Sequence, residues 1–442
     1  MTAKTLKNAV ILTMESDCPL ISDGMIVIKD DRISFIGENG KTEQEGEVID
    51  CTGKLLMPGL VNTHAHSGST LFRSIADDLF LMDWLENYMW KIEKFQSAEF
   101  SRIASSLCHL EFLKNGITTH ADMWIYGRST AEAALESGLR SVICPTVFSR
   151  PSTESKDPLE TAITFIEEFI GKENETHIYP GIGPHAIYSC TMETLREAAD
   201  FARKHKILIH THISETKTEN TDCSERLGMT PTEAMLDAGI FDNKVLAAHC
   251  VHMTDNDWKI FREHDAAVSY NPVSNLKLCS GIMDLGKALE NNVCVSIGTD
   301  GPQSNNSLDL LRDLKTGSLI QKNHREDPTF FPAEKAIRMA TFEGARALGL
   351  EMEIGSLKSG KKADIIALNL NEPEMIPAHP ESAENLYSLI VYAASGRNVT
   401  DVWVDGEQLL KDRVPTRIDT ARLYNEARTA SDIMIREAKF KI

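Results

Sequence analysis

The sequence predicts an α/β fold: a (β/α)8 TIM barrel carrying a small β-sandwich domain formed by both chain termini. Three observations carry this. Short apolar strands alternate with amphipathic helices eight times through the middle of the chain, the count of a closed parallel barrel. Both ends read instead as strands separated by Gly and Asp turns. No glycine-rich phosphate loop follows the first central strand, which weighs against an open doubly wound sheet.

The elements follow in order. At the N-terminus AVILTM, GMIVIKDDRISFIG and GEVIDCTGKLLMPG are apolar runs of strand length. Barrel strand one is LMPGLVNTHAH, followed by helices near 82–95 and 98–115. Strands two to four are GITTHADM, SVICPTVF and IYPGIGPHAIYS, leading into STAEAALESG, PLETAITFIEEFI and METLREAADFARKH. Strands five and six are ILIHTHISE and VLAAHCVHM, leading into TPTEAMLDAG and TDNDWKIFREH. Strand seven, AAVSYNPVSN, precedes a short helix near 284–290, and strand eight, VCVSIGTDGP, precedes SLDLLRDLKTGSLIQ. GKKADIIALNL, LIVYAA and VTDVWVDGEQLL return to strand texture, with an Asp405-Gly406 turn signal. The expected division is residues 1–57 and 357–442 for the β domain and a C-terminal helix, and 58–356 for the barrel.

Composition narrows the function classes. The chain has 442 residues, enough for one barrel and something smaller. With 46 Lys and Arg against 65 Asp and Glu the net charge is −19, which disfavours nucleic acid or an anionic membrane as the main partner. The nine cysteines are scattered, odd in number and lack a CxxC pair. That fits free thiols in a reducing compartment rather than a disulfide framework. The first apolar stretch is too short for a signal core, and no run reaches the length of a membrane helix. A cytoplasmic protein is expected.

In a (β/α) barrel, chemistry gathers where the strands end. Strand one ends at His64 and His66, strand four at His185, and strand five at His210, His212 and Glu215. Strand six ends at His249 and His252, and strand eight at Asp300. Residues two apart on a strand share a face about 7 Å apart, so His64 and His66 can aim at one metal. A lone His-x-His is also compatible with coincidence on a loop. His212 and Asp300 would complete three nitrogens and one carboxylate with a position left for water, the composition of a hydrolytic zinc site.

PGLVNTHAH, GPHAIYSC, HTHISE, AAHCVH, YNPVSNLKL, GTDGPQSNNSLD and the closing GSLKSGKKADIIAL resemble the amidohydrolase superfamily. Within it the chain is similar to the branch of deaminases and chlorohydrolases that includes methylthioadenosine/S-adenosylhomocysteine deaminases. The resemblance covers nearly the whole chain. It implies one divalent metal ion, zinc before iron or manganese, held by His64, His66, His212 and Asp300. His185 stands where a carbamylated lysine would bridge a second metal, which suits a mononuclear site. The resemblance further implies that Asp300 takes a proton from the attacking water, that His249 orients that water, and that Glu215 protonates a ring nitrogen. Glu93, 27 residues after His66, would bind ribose hydroxyls; His185 and Trp84 would line the substrate pocket. Where that branch carries an arginine after strand three, this chain has Pro145-Thr146. Arg150 is the substitute from a shifted register, and this favours adenosine-type substrates over S-adenosylhomocysteine itself.

The expected function is hydrolytic deamination of 6-aminopurine nucleosides by a homo-oligomer. The alternatives are deamination or dechlorination of another heterocycle, such as guanine, a pterin or an s-triazine, and a non-catalytic barrel subunit. His210, His252, His109, His120, His205 and His264 read as structural or surface residues, and Cys250 as a free buried thiol.

Overall fold

The computed structural model describes residues 3–75, 77–79 and 81–438; for Leu81, Met82, Leu85, Trp90 and Glu93 it describes the backbone alone. Two compact units emerge. The first takes Met1–Asn62, Leu110–Thr119 and Asp309–Ile418, the second Thr63–His109, His120–Leu308 and Asp419–Ile442. Among the described residues no helix is long and apolar enough to cross a membrane.

In the first unit, strands from both chain ends share a nine-stranded sheet. The join is Lys54–Pro58, which pairs parallel with Ala3–Leu12 and antiparallel with Ile365–Asn369. Ile26 and Ile28, two apart on one strand, face the same core as Ile365, Ala367 and Trp403, as a period of two requires. Asp405 and Gly406 both take positive φ, 47° and 73°. That is what a two-residue turn between Val399–Val404 and Glu407–Lys411 needs. The LIVYAA strand is overturned: it falls largely within the helix Ala383–Tyr392. Ser382 caps that helix, and Leu386, Tyr387, Ile390 and Val391 are buried at helical spacing.

Eight strands form the barrel: β1 (Leu60–Ala65), β2 (Ile117–Asp122), β3 (Arg140–Ile143), β4 (Ile178–Pro180), β5 (Ile209–Ile213), β6 (Val245–His249), β7 (Ala267–Tyr270) and β8 (Cys294–Ile297). They make two four-stranded sheets, β1 to β4 and β5 to β8, each paired in sequence order. Two parallel bridges, Ile182 to Ile209 and Ala65 to Asp300, join the sheets. Pairing therefore returns to its start, and the barrel closes. Inside it, the Thr63 hydroxyl lies 2.8 Å from the hydroxyls of Ser269 and Ser296. Buried polar side chains thus find partners across the barrel.

The helices obey their sequence signals where those exist. Met192–His205 starts at a Thr191 cap and buries Leu195, Ala198, Ala199 and Ala202, one stripe at helical spacing. The single helix expected over 82–95 is instead segmented. An α-turn at Leu81–Trp84 passes into a π-turn at Leu85–Met89, a short α-turn at Trp90–Ile92 and a 3-10 turn at Glu93–Phe95. Several helices of the described residues lie outside the expected set, Ala333–Met339 and Phe342–Leu348 among them, and two more carry residues of the site. Lys217–Leu227 buries only Glu219 and Cys223, and Pro272–Lys277 is six residues long.

Candidate active site

Every side chain of the site belongs to the second unit. His64 lies in β1 and His66 follows it, with ring centroids 4.7 Å apart. His212, in β5, holds its ring 4.9 Å from His64 and 5.5 Å from His66. Asp300 Oδ1 is 3.4 Å from His64 Nε2 and 3.1 Å from His66 Nε2. The coordinating atoms of His64, His66 and Asp300 lie within 4.8 Å of one another, as do those of His64, His212 and His249. The four expected ligand positions converge, with His249 beside them.

Hydrogen bonds explain why the rings face inward. His66 Nδ1 donates to the Met123 carbonyl at 2.6 Å, and His212 Nδ1 to the His185 carbonyl at 2.8 Å. A carbonyl only accepts, so each Nδ1 holds a proton and each Nε2 is the nitrogen turned to the cluster. Asp300 is gripped as tightly. Its Oδ2 accepts from the hydroxyls of Ser274 at 2.6 Å and Ser304 at 2.9 Å, and its Oδ1 from Gly301 N at 2.7 Å. Gly298 permits the close approach of β8. A Cβ there would stand 2.7 Å from His64 Cβ and 2.5 Å from Ser269 Oγ. Three imidazole nitrogens, one carboxylate oxygen and no thiolate form a donor set that suits a divalent ion such as zinc.

Burial sets the charge of these groups. It pushes His64 down to about 4 and His212 well below the ordinary imidazole range. Burial alone would raise Asp300, but its bonds to His64 and His66 hold it well below the carboxylate range. His66 differs: burial pulls it down, but the facing Asp300 carboxylate and the Met123 carbonyl outweigh that and raise it above the ordinary imidazole range, so a divalent ion would have to displace a proton there.

Glu215 and His249 form the second part of the site. His249 and Cys250 close β6 with positive φ, 74° and 50°, a costly conformation for residues other than glycine that is met at functional sites. His249 Nδ1 donates to Asn275 Oδ1 at 2.8 Å, and its Nε2 lies 3.8 Å from Glu215 Oε2. Burial pushes the Glu215 carboxyl up, against the pull of His249 and the Ser280 hydroxyl. Beneath it, Glu219 accepts the backbone N–H groups of Ser214 at 3.1 Å and Glu215 at 2.7 Å. Burial raises Glu219 as well, to about 7.

Above this floor lies a hollow of ≈ 780 Å³, counting its solvent-open mouth. Its wall is apolar: Phe72, Trp84, Met89, Trp124, Phe148 and Leu278. His185 lines it too, with its ring 4.7 Å from His212 and its Nδ1 2.8 Å from Ser189 Oγ. The Arg150 guanidinium stacks 4.8 Å from the centroid of Phe148, and it is Phe148 that lines the hollow. The Glu93 side chain lies outside the described residues.

The remaining histidines take structural partners. His252 Nε2 donates to the Ser280 carbonyl and His264 Nδ1 to the Phe241 carbonyl. His120 meets Ser141 Oγ at 2.8 Å, and the ring of His109 lies 4.7 Å from that of His120. Cys250 is a buried free thiol. Sequence reasoning passed over Ser274, Asn275, Gln303, Ser304 and Glu219. The first four sit inside YNPVSNLKL and GTDGPQSNNSLD, whose polar side chains were the available signal.

The chain is similar to known proteins along nearly its whole length. The Amidohydrolase family matches residues 55–409. A 5'-deoxyadenosine deaminase of Methanosarcina acetivorans is 39% identical over 434 residues, 98% of each chain. A 5-methylthioadenosine/S-adenosylhomocysteine deaminase of Caldanaerobacter subterraneus subsp. tengcongensis is 37% identical over 432 residues, again 98% of each. An adenosine deaminase from Xanthomonas campestris, solved with bound zinc, superposes with a TM-score of 0.93 at 27% identity, covering 98% of this chain and 99% of its own. A triazine hydrolase from Arthrobacter aurescens reaches 0.87 at 22% identity, a likeness of fold alone.

Proposed function

We propose, from the premise that this chain belongs to the amidohydrolase family, that it hydrolyses the 6-amino group of adenosine-type nucleosides and releases ammonia. 5'-Deoxyadenosine and methylthioadenosine are the first candidates. The observation that carries the reading is the pairing of a buried Glu215 carboxyl with His249 directly beside a three-imidazole, one-carboxylate cluster. Relatives named as adenosine-type deaminases along nearly their whole length support the choice of substrate.

His64, His66, His212 and Asp300 would hold one divalent ion, zinc being the best fit to the donors. When bound, such an ion is a Lewis acid that brings the acidity of water near neutral pH. Asp300 takes the proton of the attacking water, and its two hydroxyl partners keep the receiving oxygen in place. His249 accepts from or donates to that water and so fixes its line of attack on C6. Glu215, whose hold on a proton burial strengthens, gives its proton to N1 as the C6–O bond forms. Asp300 then passes its proton to the amino group, Glu215 takes back a proton from the C6 hydroxyl, and the C6–N bond breaks as C6=O forms, so ammonia leaves and both carboxyl groups return to their starting states. The apolar side chains of the hollow suit a nucleoside whose 5' end is deoxy or methylthio.

Ammonia release from 5'-deoxyadenosine, methylthioadenosine, adenosine, S-adenosylhomocysteine and guanine, with chloride release from a chloro-s-triazine, tests the reading. Turnover of the first three is expected. Turnover confined to guanine or the triazine would overturn it.

A further inference from the structure

The three imidazoles of the cluster are not fixed by the same device. His66 and His212 each place Nδ1 on a backbone carbonyl, and their tautomer follows without choice. His64 Nδ1 instead meets another imidazole, His210 Nε2, at 2.9 Å, with the ring centroids 4.9 Å apart. Both residues are fully buried. An imidazole nitrogen can donate or accept, so the geometry of this contact permits two arrangements. In one, His64 carries its proton on Nδ1, and Nε2 offers a lone pair toward Asp300 and His212. In the other, His210 donates, the His64 proton moves to Nε2, and that nitrogen cannot coordinate.

We infer that His210 is a positioning residue: it accepts from His64 Nδ1 at its Nε2 and thereby keeps His64 in the metal-binding tautomer, its own proton standing on Nδ1, which no group of the described residues meets. This rests on the reading that the cluster holds a divalent ion. Two features of the chain support it. The backbone of His210 is pinned on both sides of β5: its N–H donates to the Ile182 carbonyl at 3.0 Å, and it pairs with Leu246 of β6. Its ring is thus delivered to His64 from a rigid strand. Gly298, which leaves no space for a side chain against His64 Cβ, closes the opposite flank. Partners that orient a ligand imidazole commonly contribute 10- to 100-fold in metal affinity.

The test uses the full chain with zinc alone as probe. Nitrogen-15 NMR of the histidine-labelled, zinc-loaded chain should show His210 protonated at Nδ1 and accepting at Nε2. His210→Leu, which removes the acceptor, should weaken zinc binding in chelator competition by about 10- to 100-fold. His210→Gln places an amide oxygen near the Nε2 position and should restore binding to within about threefold of the parent chain. A proton on His210 Nε2 in the loaded chain overturns the inference, as does equal zinc affinity in all three chains or equal weakening in both variants. Should His210→Leu fail to fold, the NMR result on the unsubstituted chain decides alone. Failure of the unsubstituted chain to hold zinc at all would instead strike the cluster reading, and the two failures are distinguishable.

Discussion

The floor and the wall of the hollow are built by different physics. On the floor, His66, His212, His249, Glu215 and Asp300 each hold a specific hydrogen-bond partner. Their directions are fixed to the scale that acid–base chemistry demands. The wall is made of Phe72, Trp84, Met89, Trp124, Phe148 and Leu278, held by packing, and Trp84 and Met89 flank or sit in a π-turn. A change on the floor should therefore alter the reaction. A change on the wall should alter which substrate is taken.

The largest effect is expected at His212. His212→Ala should lose stoichiometric metal and drop turnover beyond the ~10⁴-fold that one acid–base group supplies. Retention of both metal and rate would remove His212 from the floor. Glu215→Gln comes next, keeping the metal and losing about 10²–10⁴-fold in kcat; a near-parental kcat would show that Glu215 does not move the proton. Glu93 tests the substrate side. If it holds the 2'- and 3'-hydroxyls, Glu93→Ala should cost about 10- to 150-fold in kcat/KM on 5'-deoxyadenosine. Metal content should not change, and an analogue lacking both hydroxyls should be little affected. Equal losses on both substrates would make Glu93 structural and favour a heterocycle without ribose.

The smallest effect on turnover, and a separate one on stability, is expected at Glu219. Burial raises its folded-state pKa from 4.5 to about 7. A raised carboxyl favours the fold while protonated, so this contribution is full below about pH 4.5 and is lost as pH rises through about 7. The stability of the parent chain should fall by as much as roughly 3 kcal/mol across that window relative to Glu219→Gln. Parallel pH curves for the two chains would show that Glu219 does not titrate there.

Much of the floor was legible because barrels put chemistry where apolar strands stop. His64, His66, His212, Glu215, His249 and Asp300 all stand out as polar residues at the ends of buried runs. What supports them was harder to read. Lys217–Leu227 is polar on nearly every face, so periodicity could not reveal the helix that carries Glu219. Ser274 and Asn275 ride on a helix of six residues after Asn271-Pro272, too short for a period to register. The π-turn at Leu85–Met89 breaks a segment that reads as one amphipathic helix. LIVYAA is a short apolar run, and such runs fit a strand or a buried helix equally until the Ser382 cap is recognised. Arg150 shows the other limit. Its position in the sequence says nothing of the Phe148 ring it stacks on.

The central claim is that one ion on this floor enables deamination. Chelator-treated chain should be titrated with zinc while ammonia release from 5'-deoxyadenosine is followed. The account predicts no turnover without the ion, a linear rise, and a plateau at one equivalent per chain. Full activity in the stripped chain, or a plateau at two equivalents, would contradict it.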